Sequence, residues 1–310
     1  MLPEVHSWLR RRTSRVADWP VQALVDAKGD TRVSVVLPAR DERETIGEIV
    51  RVIRRELGEL VDEIVVIDSR STDDTAAVAA RAGADVHAQD EILPQLQPLD
   101  GKGEALWKSL AVTSGDIVAF VDADIRKFHS SLVSGVLGPL LTDASVVYVK
   151  GCYDRPFDGA PTGGGRVTEL VARPLINLHW PRLAGFVQPL AGEYAGRRSA
   201  LERVPFLTGY GVELGLLIDL LDLAGLDAFA QVDLGSREHD PQSTEALGGM
   251  AGQIMLAAWS RLRRQGKIDS CHAPSVCLDQ FRRADAGPEI VSRDISIAER
   301  PPMLTVGLLA

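Results

Sequence analysis

Gly115-Asp-Ile-Val-Ala-Phe-Val-Asp-Ala-Asp-Ile125 is the stretch on which the fold turns. Ile117 to Val121 is a short β-branched and aromatic run stopped abruptly by acids, the pattern of a strand buried on both faces of a parallel sheet. Asp122 and Asp124 stand just past its carboxyl end, where open α/β sheets hold their ligands. Two carboxylates one residue apart there suit a hard divalent cation that also holds a diphosphate. Asp-x-Asp also occurs by chance as a solvated turn, so its meaning depends on the segments around it.

Those segments repeat the pattern. Val33–Leu37 reads as a first buried strand stopped by Pro38, and Ile46, Ile49, Val50, Ile53 and Leu57 follow helical spacing. Glu63–Ile67 is a second strand ending in Asp68-Ser69. Ser71-Thr72-Asp73-Asp74-Thr75 is rich in helix-capping residues and opens an alanine-rich helix closed by Gly83. Ala84–His87 is a short third strand, and Gly101-Lys102-Gly103 opens a helix over Glu104–Val112. Strand and helix alternating through short links predict a doubly wound, mostly parallel α/β sheet. Further on, Val146–Lys150 and Ala228–Leu234 read as strands. Helices are expected from Val167, after Gly209–Glu213 through Leu223, and over residues 243–264. Residues 1–30 look like an arm or short helix outside the main sheet, and the tail beyond Lys267 reads as irregular. The expected division is an arm over 1–30, a nucleotide-sugar half over 31–150, an acceptor half over 151–242, and a C-terminal helix and tail over 243–310 that offers dimer contacts.

Composition bounds the function. The chain has 310 residues, 45% hydrophobic and 25% charged, an ordinary globular profile. A net charge of −9 argues against a nucleic-acid partner, which needs a basic face. Cys152, Cys271 and Cys277 lack metal spacing, and so sparse a set suggests a reducing cytoplasm. No apolar run follows Arg10–Arg12, so no signal peptide is expected, and no run reaches the ~18 apolar residues of a membrane span.

Three strand ends should therefore bring Pro38–Glu42, Asp68-Ser69 and Asp122/Asp124 to one rim. Glu42 and Asp68 can each hydrogen-bond a ribose or base, or else serve as a cap or surface turn. Lys102 lies between two glycines at a helix start, where backbone N–H groups and a point charge favour phosphate, though a lone Gly-Lys-Gly is more often an exposed lysine in a flexible loop. Gly163-Gly164-Gly165-Arg166-Val167-Thr168 follows the same logic for a phosphate or carboxylate, and a glycine hinge with a surface arginine is equally open. His239, near Arg237 at a strand end, can complete a metal shell with Asp124. Glu213, after two glycines, can orient a sugar hydroxyl, act as a base, or simply cap its helix.

Taken together, Val35-Val36-Leu37-Pro38-Ala39, the Ile67–Thr75 block and Val121-Asp122-Ala123-Asp124 resemble the GT-A glycosyltransferases. Gly101–Trp107, Thr162–Leu175, Gln188–Tyr194 and Gly209–Glu213 narrow this to a resemblance to the glucosyl-3-phosphoglycerate synthases of actinobacteria, over about residues 30–250. The resemblance implies a retaining, cytoplasmic homodimer that moves glucose from UDP-glucose to the 2-hydroxyl of 3-phosphoglycerate. It implies a divalent metal, Mg2+ with Mn2+ or Co2+ as alternatives, on Asp124 and His239. Pro38, Ala39, Arg40, Glu42, Ser69 and Ala123 would line the nucleotide, with Lys102 at the diphosphate and Asp122 near ribose and sugar. Gly165, Arg166 and Thr168 would hold the acceptor, Glu213 the glucose hydroxyls, and Arg237 would stand by the phosphates. Asp122, Lys102, Glu213 and Arg237 are the expected catalytic set. The chain departs from the family at Arg40-Asp41, where leucine–asparagine is common, at Ala123, where serine is common, and at Pro241, where a polar acceptor contact is expected. A mannosyl-3-phosphoglycerate synthase using GDP-mannose, a non-catalytic nucleotide-sugar sensor, and a polymerising or lipid-linked transferase are the competing readings.

Overall fold

The computed structural model describes residues 1–157, 160–237, 242–269, 272–284 and 287–308. The decisive stretch forms β5 (Ile117–Phe120), with every residue of the strand fully buried. Val118 and Phe120 enter one hydrophobic core, and Ile117, Ala119 and Val121 enter the other. Burial on both faces explains the unbroken apolar run, since an alternating strand would have exposed one side. Each such side chain contributes about 1.5–3 kcal/mol relative to exposure, which fixes the strand firmly beneath the acids that follow.

Around it, β2 (Val33–Ala39), β3 (Glu63–Asp68) and β4 (Asp85–Ala88) add in parallel on one side. Val36 pairs with Phe120 and Ala39 with Asp68, so the three carboxyl ends finish at one level. The intervening helices α3 (Ile46–Leu57), α4 (Thr75–Ala82) and α5 (Lys102–Val112) match the spacing seen in the sequence. Ile46, Ile49, Val50, Ile53 and Leu57 of α3 are all fully buried against the sheet.

On the other side the sheet continues through β6 (Tyr148–Asp154) and β11 (Phe229–Ser236). Among the described residues it has eight strands in the order β1-β11-β6-β9-β5-β2-β3-β4. β9 (Tyr194–Arg197) is antiparallel to both neighbours, a feature the sequence did not disclose, because Tyr-Ala-Gly-Arg is short and has no alternation. Helix α6 (Ser131–Thr142) was also not anticipated. It carries Pro139 and a mostly buried apolar surface without amphipathic spacing.

Two expectations are corrected. Residues 1–30 do not lie outside the sheet. After α1 (Pro3–Arg12), β1 (Thr13–Arg15) pairs in parallel with β11, and α2 (Val21–Lys28) packs against α6. Trp8 is fully buried, with its indole N–H donating to Phe229 O at 2.9 Å. A three-residue polar edge strand has no hydrophobic pattern to announce it. Nor is the tail irregular. β12 (Cys277–Ala284) and β13 (Gly287–Asp294) form an antiparallel ladder, and β14 (Glu299–Arg300) pairs with β10 (Phe206–Leu207).

The remaining elements build the open side of the sheet. β7 (Pro156–Phe157) pairs with β8 (Ala160–Gly163), and a π-helical turn over Thr168–Ala172 leads into α7 (Arg173–His179). The short α8 (Arg198–Leu201) precedes β10. α9 (Val212–Ala224) runs through the core, and α10 (Thr244–Arg264) lies against it.

Candidate active site

The carboxyl ends of β2, β3 and β5 open into a cleft of about 720 Å³. Pro38, Ala39, Arg40, Glu42, Ser69, Lys102, Asp122, Ala123, Asp124, Gly165, Arg166, Thr168, Glu213 and Arg237 all line it. One cleft thus gathers nearly every side chain singled out in the sequence. His239 and Pro241 lie outside the described residues. Asp68 does not line the cleft. Its Oδ2 accepts from Ser71 N at 3.4 Å, and its Oδ1 is buried without a partner. Turning inward to the loop leaves Asp68 short of any ligand, whereas Ser69, one residue on, reaches the rim and donates to Gln89 at 2.9 Å.

The centre of the site is an ion-pair cluster. Asp122 Oδ1 takes Lys102 Nζ at 2.6 Å, and Asp122 Oδ2 takes Arg237 Nη1 at 3.1 Å. Arg237 also reaches Asp124 at 2.7 Å and Glu193 at 2.8 Å, while Lys102 reaches Glu213 at 2.9 Å. Two glycines make the approach possible. A Cβ at Gly192 would collide with the Asp122 carboxylate, and one at Gly103 with the Leu207 carbonyl against which the start of α5 is seated.

Among the described residues, the four carboxylates of these ion pairs face two cations, Lys102 and Arg237. The titration of the groups reports that imbalance. Burial works against the charge of Asp122, but Lys102 and Arg237 outweigh it and hold the carboxyl well below its usual range. Asp124 goes the other way, raised by burial and by the neighbouring Asp122 charge. Glu42 is pushed up to about 7, first by its own burial and then by Asp124. Burial disfavours the Lys102 ammonium, yet Asp122 and Glu213 more than offset this and raise it. Hard oxygen donors outnumbering their cations fit a divalent cation on Asp122 and Asp124. Among the described residues no group of three metal-ligating side chains is present.

The second wall of the cleft comes from the Gly163–Thr168 loop and α10. Arg166 donates to Gln242 O at 2.7 Å and to Thr244 Oγ1 at 3.4 Å, tying the loop to the start of α10. The start of α9 places Glu213 opposite Lys102, buried at 5% exposure.

The pattern of Glycosyl transferase family 2 matches residues 34–176. A glucosyl-3-phosphoglycerate synthase of Mycolicibacterium smegmatis is 48% identical over 307 residues, covering 97% of this chain and 98% of that protein. The chain belongs to the glucosyl-3-phosphoglycerate synthase family. It is accordingly a hexosyltransferase, and its mostly parallel sheet with the acids at β5 is the GT-A architecture expected from the sequence. A crystal structure of glucosyl-3-phosphoglycerate synthase from Mycobacterium tuberculosis, in complex with Mn2+, UDP and phosphoglyceric acid, superposes with a TM-score of 0.83 at 44% identity, covering 93% of this chain and 95% of that one. A mannosyl-3-phosphoglycerate synthase from Rubrobacter xylanophilus superposes with a TM-score of 0.90 at 40% identity, covering 97% and 98%.

In and behind this family site, several residues were missed by sequence reasoning. Glu193 is fully buried and shares Arg237 with the aspartates. Its signals were an acid inside the run around Leu190–Ala195 and its place in the Gln188–Tyr194 block, to which no role was attached. Tyr153 and Arg155 extend from the end of β6, where no motif marks them. Leu247, Met250, Gln253 and Ile254 show that α10 walls the cleft, whereas the sequence offered that helix only as a dimer surface.

Proposed function

We propose that the chain transfers glucose from UDP-glucose to the 2-hydroxyl of 3-phosphoglycerate with retention of anomeric configuration. The observation that carries this reading is the single cleft with an acid–cation cluster at one end and a glycine–arginine loop at the other, in a chain 48% identical to a glucosyl-3-phosphoglycerate synthase. In this reading residues 31–150 serve the donor and 151–242 the acceptor. Pro38, Ala39, Arg40, Glu42 and Ser69 hold the uridine. Asp124, with His239, would hold a divalent cation, Mn2+ or Mg2+, which when bound would neutralise charge on the diphosphate, and Asp122 stands near ribose and sugar.

The protein's own groups do the rest. Lys102 and Arg237 stand ready as fixed positive charges for the leaving diphosphate, preorganised by the carboxylates they already touch. Glu213, anchored by Lys102, orients glucose hydroxyls. Gly165, Arg166 and Thr168 hold the acceptor so that its hydroxyl meets the anomeric carbon on the face the diphosphate leaves. Orientation of this kind supplies several kcal/mol of the barrier. The acceptor hydroxyl loses its proton to the departing phosphate, so no enzymic nucleophile is needed. A glycosyl-enzyme trapped on Glu213 would overturn that step.

A cytoplasmic homodimer belongs to the same reading. Among the described residues no helix is long and apolar enough to cross a membrane. Met255 on α10 and the cross-strand pair Phe281 and Ile290 are exposed on the C-terminal segment expected to pair two copies.

The match to a mannosyl-3-phosphoglycerate synthase favours a second donor, GDP-mannose. Initial rates with UDP-glucose and GDP-mannose, each with 3-phosphoglycerate and Mn2+, decide between them. The proposal expects nucleotide release from UDP-glucose that depends on acceptor. Faster turnover of GDP-mannose would replace it with the mannosyl reading.

A further inference from the structure

Arg155 has an arginine's charge and almost none of its bonds. It follows β6 and lines the cleft beside Gly164, Gly165, Arg166 and Thr168. Its Cδ lies 3.8 Å from where a side chain at Gly165 would begin, and its carbonyl accepts from Gly164 N at 3.0 Å. Its Nη2 donates to Tyr153 Oη at 3.0 Å, and its guanidinium lies 5.2 Å from the Tyr153 ring centre. Its Nε is buried without a partner, and among the described residues no carboxylate pairs with it. In a chain of net charge −9, a half-buried guanidinium left without a counter-ion is costly unless an anion arrives to take it.

The acceptor proposed above carries two anionic groups, a phosphate and a carboxylate, at opposite ends of three carbons. One arginine fork binds one planar or tetrahedral anion well, so two such groups call for two cationic points. Arg166 already spends donors on Gln242 and Thr244. We infer that Arg155 is the second anion anchor of the acceptor site, facing the Gly165–Thr168 loop, and that Tyr153 is the positioning residue that keeps it in register with the diphosphate end. Tyr153 is suited to this. Its hydroxyl accepts from Arg155 at 3.0 Å and from Arg237 Nη1 at 2.9 Å, so one buried oxygen joins the acceptor cation to the cation that grips Asp122 and Asp124. Its backbone is clamped on both sides by the Gln188 amide.

The inference rests on the acceptor reading and is tested apart from it. Binding of 3-phosphoglycerate to the full chain, measured by calorimetry without donor, should weaken about tenfold in Arg155→Gln and recover in part in Arg155→Lys. UDP-glucose affinity should stay within about twofold, because Arg155 touches no donor group in this account. Tyr153→Phe, which keeps the ring beneath the guanidinium, should raise the acceptor KM about threefold with little change in kcat. Wild-type acceptor affinity in Arg155→Gln, or an equal loss of UDP-glucose and 3-phosphoglycerate affinity, overturns the inference. Wild-type protein that binds 3-phosphoglycerate without glucosylating it would instead overturn the functional reading and leave the Arg155 comparison intact.

Discussion

Two of the buried guanidinium–carboxylate clusters among the described residues are of similar make and opposite character. Behind the cleft, Arg261 of α10 pairs with Asp219 of α9 at 2.5 Å and with Glu299, and Arg264 also reaches both acids. Two cations meet two anions there, Arg261 is fully buried, and none of these side chains leaves a buried polar atom without a partner. Around Arg237, among the described residues, carboxylates outnumber cations, and Arg237 Nε and Glu193 Oε2 are both buried without a hydrogen-bond partner. Beside them Tyr148 Oη, Lys150 Nζ and Tyr194 Oη are unpaired as well. A closed cluster locks helices together. A cluster short of positive charge and of partners is preorganised for something that binds.

The comparison can be broken by removing one acid from each. Asp219→Ala leaves Arg261 without its buried carboxylate partner and should cost about 3–5 kcal/mol of stability, read as a large fall in Tm with substrate affinity intact in whatever remains folded. Asp124→Ala removes one carboxylate of the other cluster. Turnover should fall about 10²–10³-fold while Tm holds or rises. A mutant equally destabilised at both places would erase the distinction.

Gly192→Ala sharpens it. The added methyl meets the Asp122 carboxylate, so it should displace Asp122 from Lys102 and Arg237 and cut turnover about tenfold, with about 1–3 kcal/mol of lost stability. A separate effect is expected on pH dependence. Burial pushes Lys150 down to about 7 in the folded chain, against an ordinary 10.5. Between those values the unfolded chain binds the extra proton, so this lysine makes stability rise with pH across that window. Lys150→Met should be more stable than wild type at pH 7, and its advantage should shrink as pH approaches 10. A pH-independent difference in denaturant midpoints would contradict the assignment.

The donor end was legible because a parallel sheet writes itself plainly. Apolar runs such as Val33–Leu37 and Ile117–Val121 end where their chemistry begins, so Pro38, Ser69 and Asp122 follow from the strands alone. The acceptor end was legible only through its glycine–arginine block. Glu193, Tyr153 and Arg155 belong to an antiparallel insertion and a strand extension with no period of their own, and Glu193 and Tyr153 meet Arg237 across 44 and 84 residues of chain. The balanced Arg261 cluster was invisible for the same reason. Asp219 looked only like an interruption of an apolar helix, and nothing nearby in sequence pointed to its partner on α10.

The most direct test of the account is Mn2+ binding to the full chain in the presence of UDP, by calorimetry or by the loss of the free-ion resonance signal. A cluster in which carboxylates outnumber cations predicts one Mn2+ per chain, with affinity that UDP strengthens and Asp124→Asn weakens by at least about tenfold. Mn2+ binding that ignores both UDP and Asp124 would contradict it.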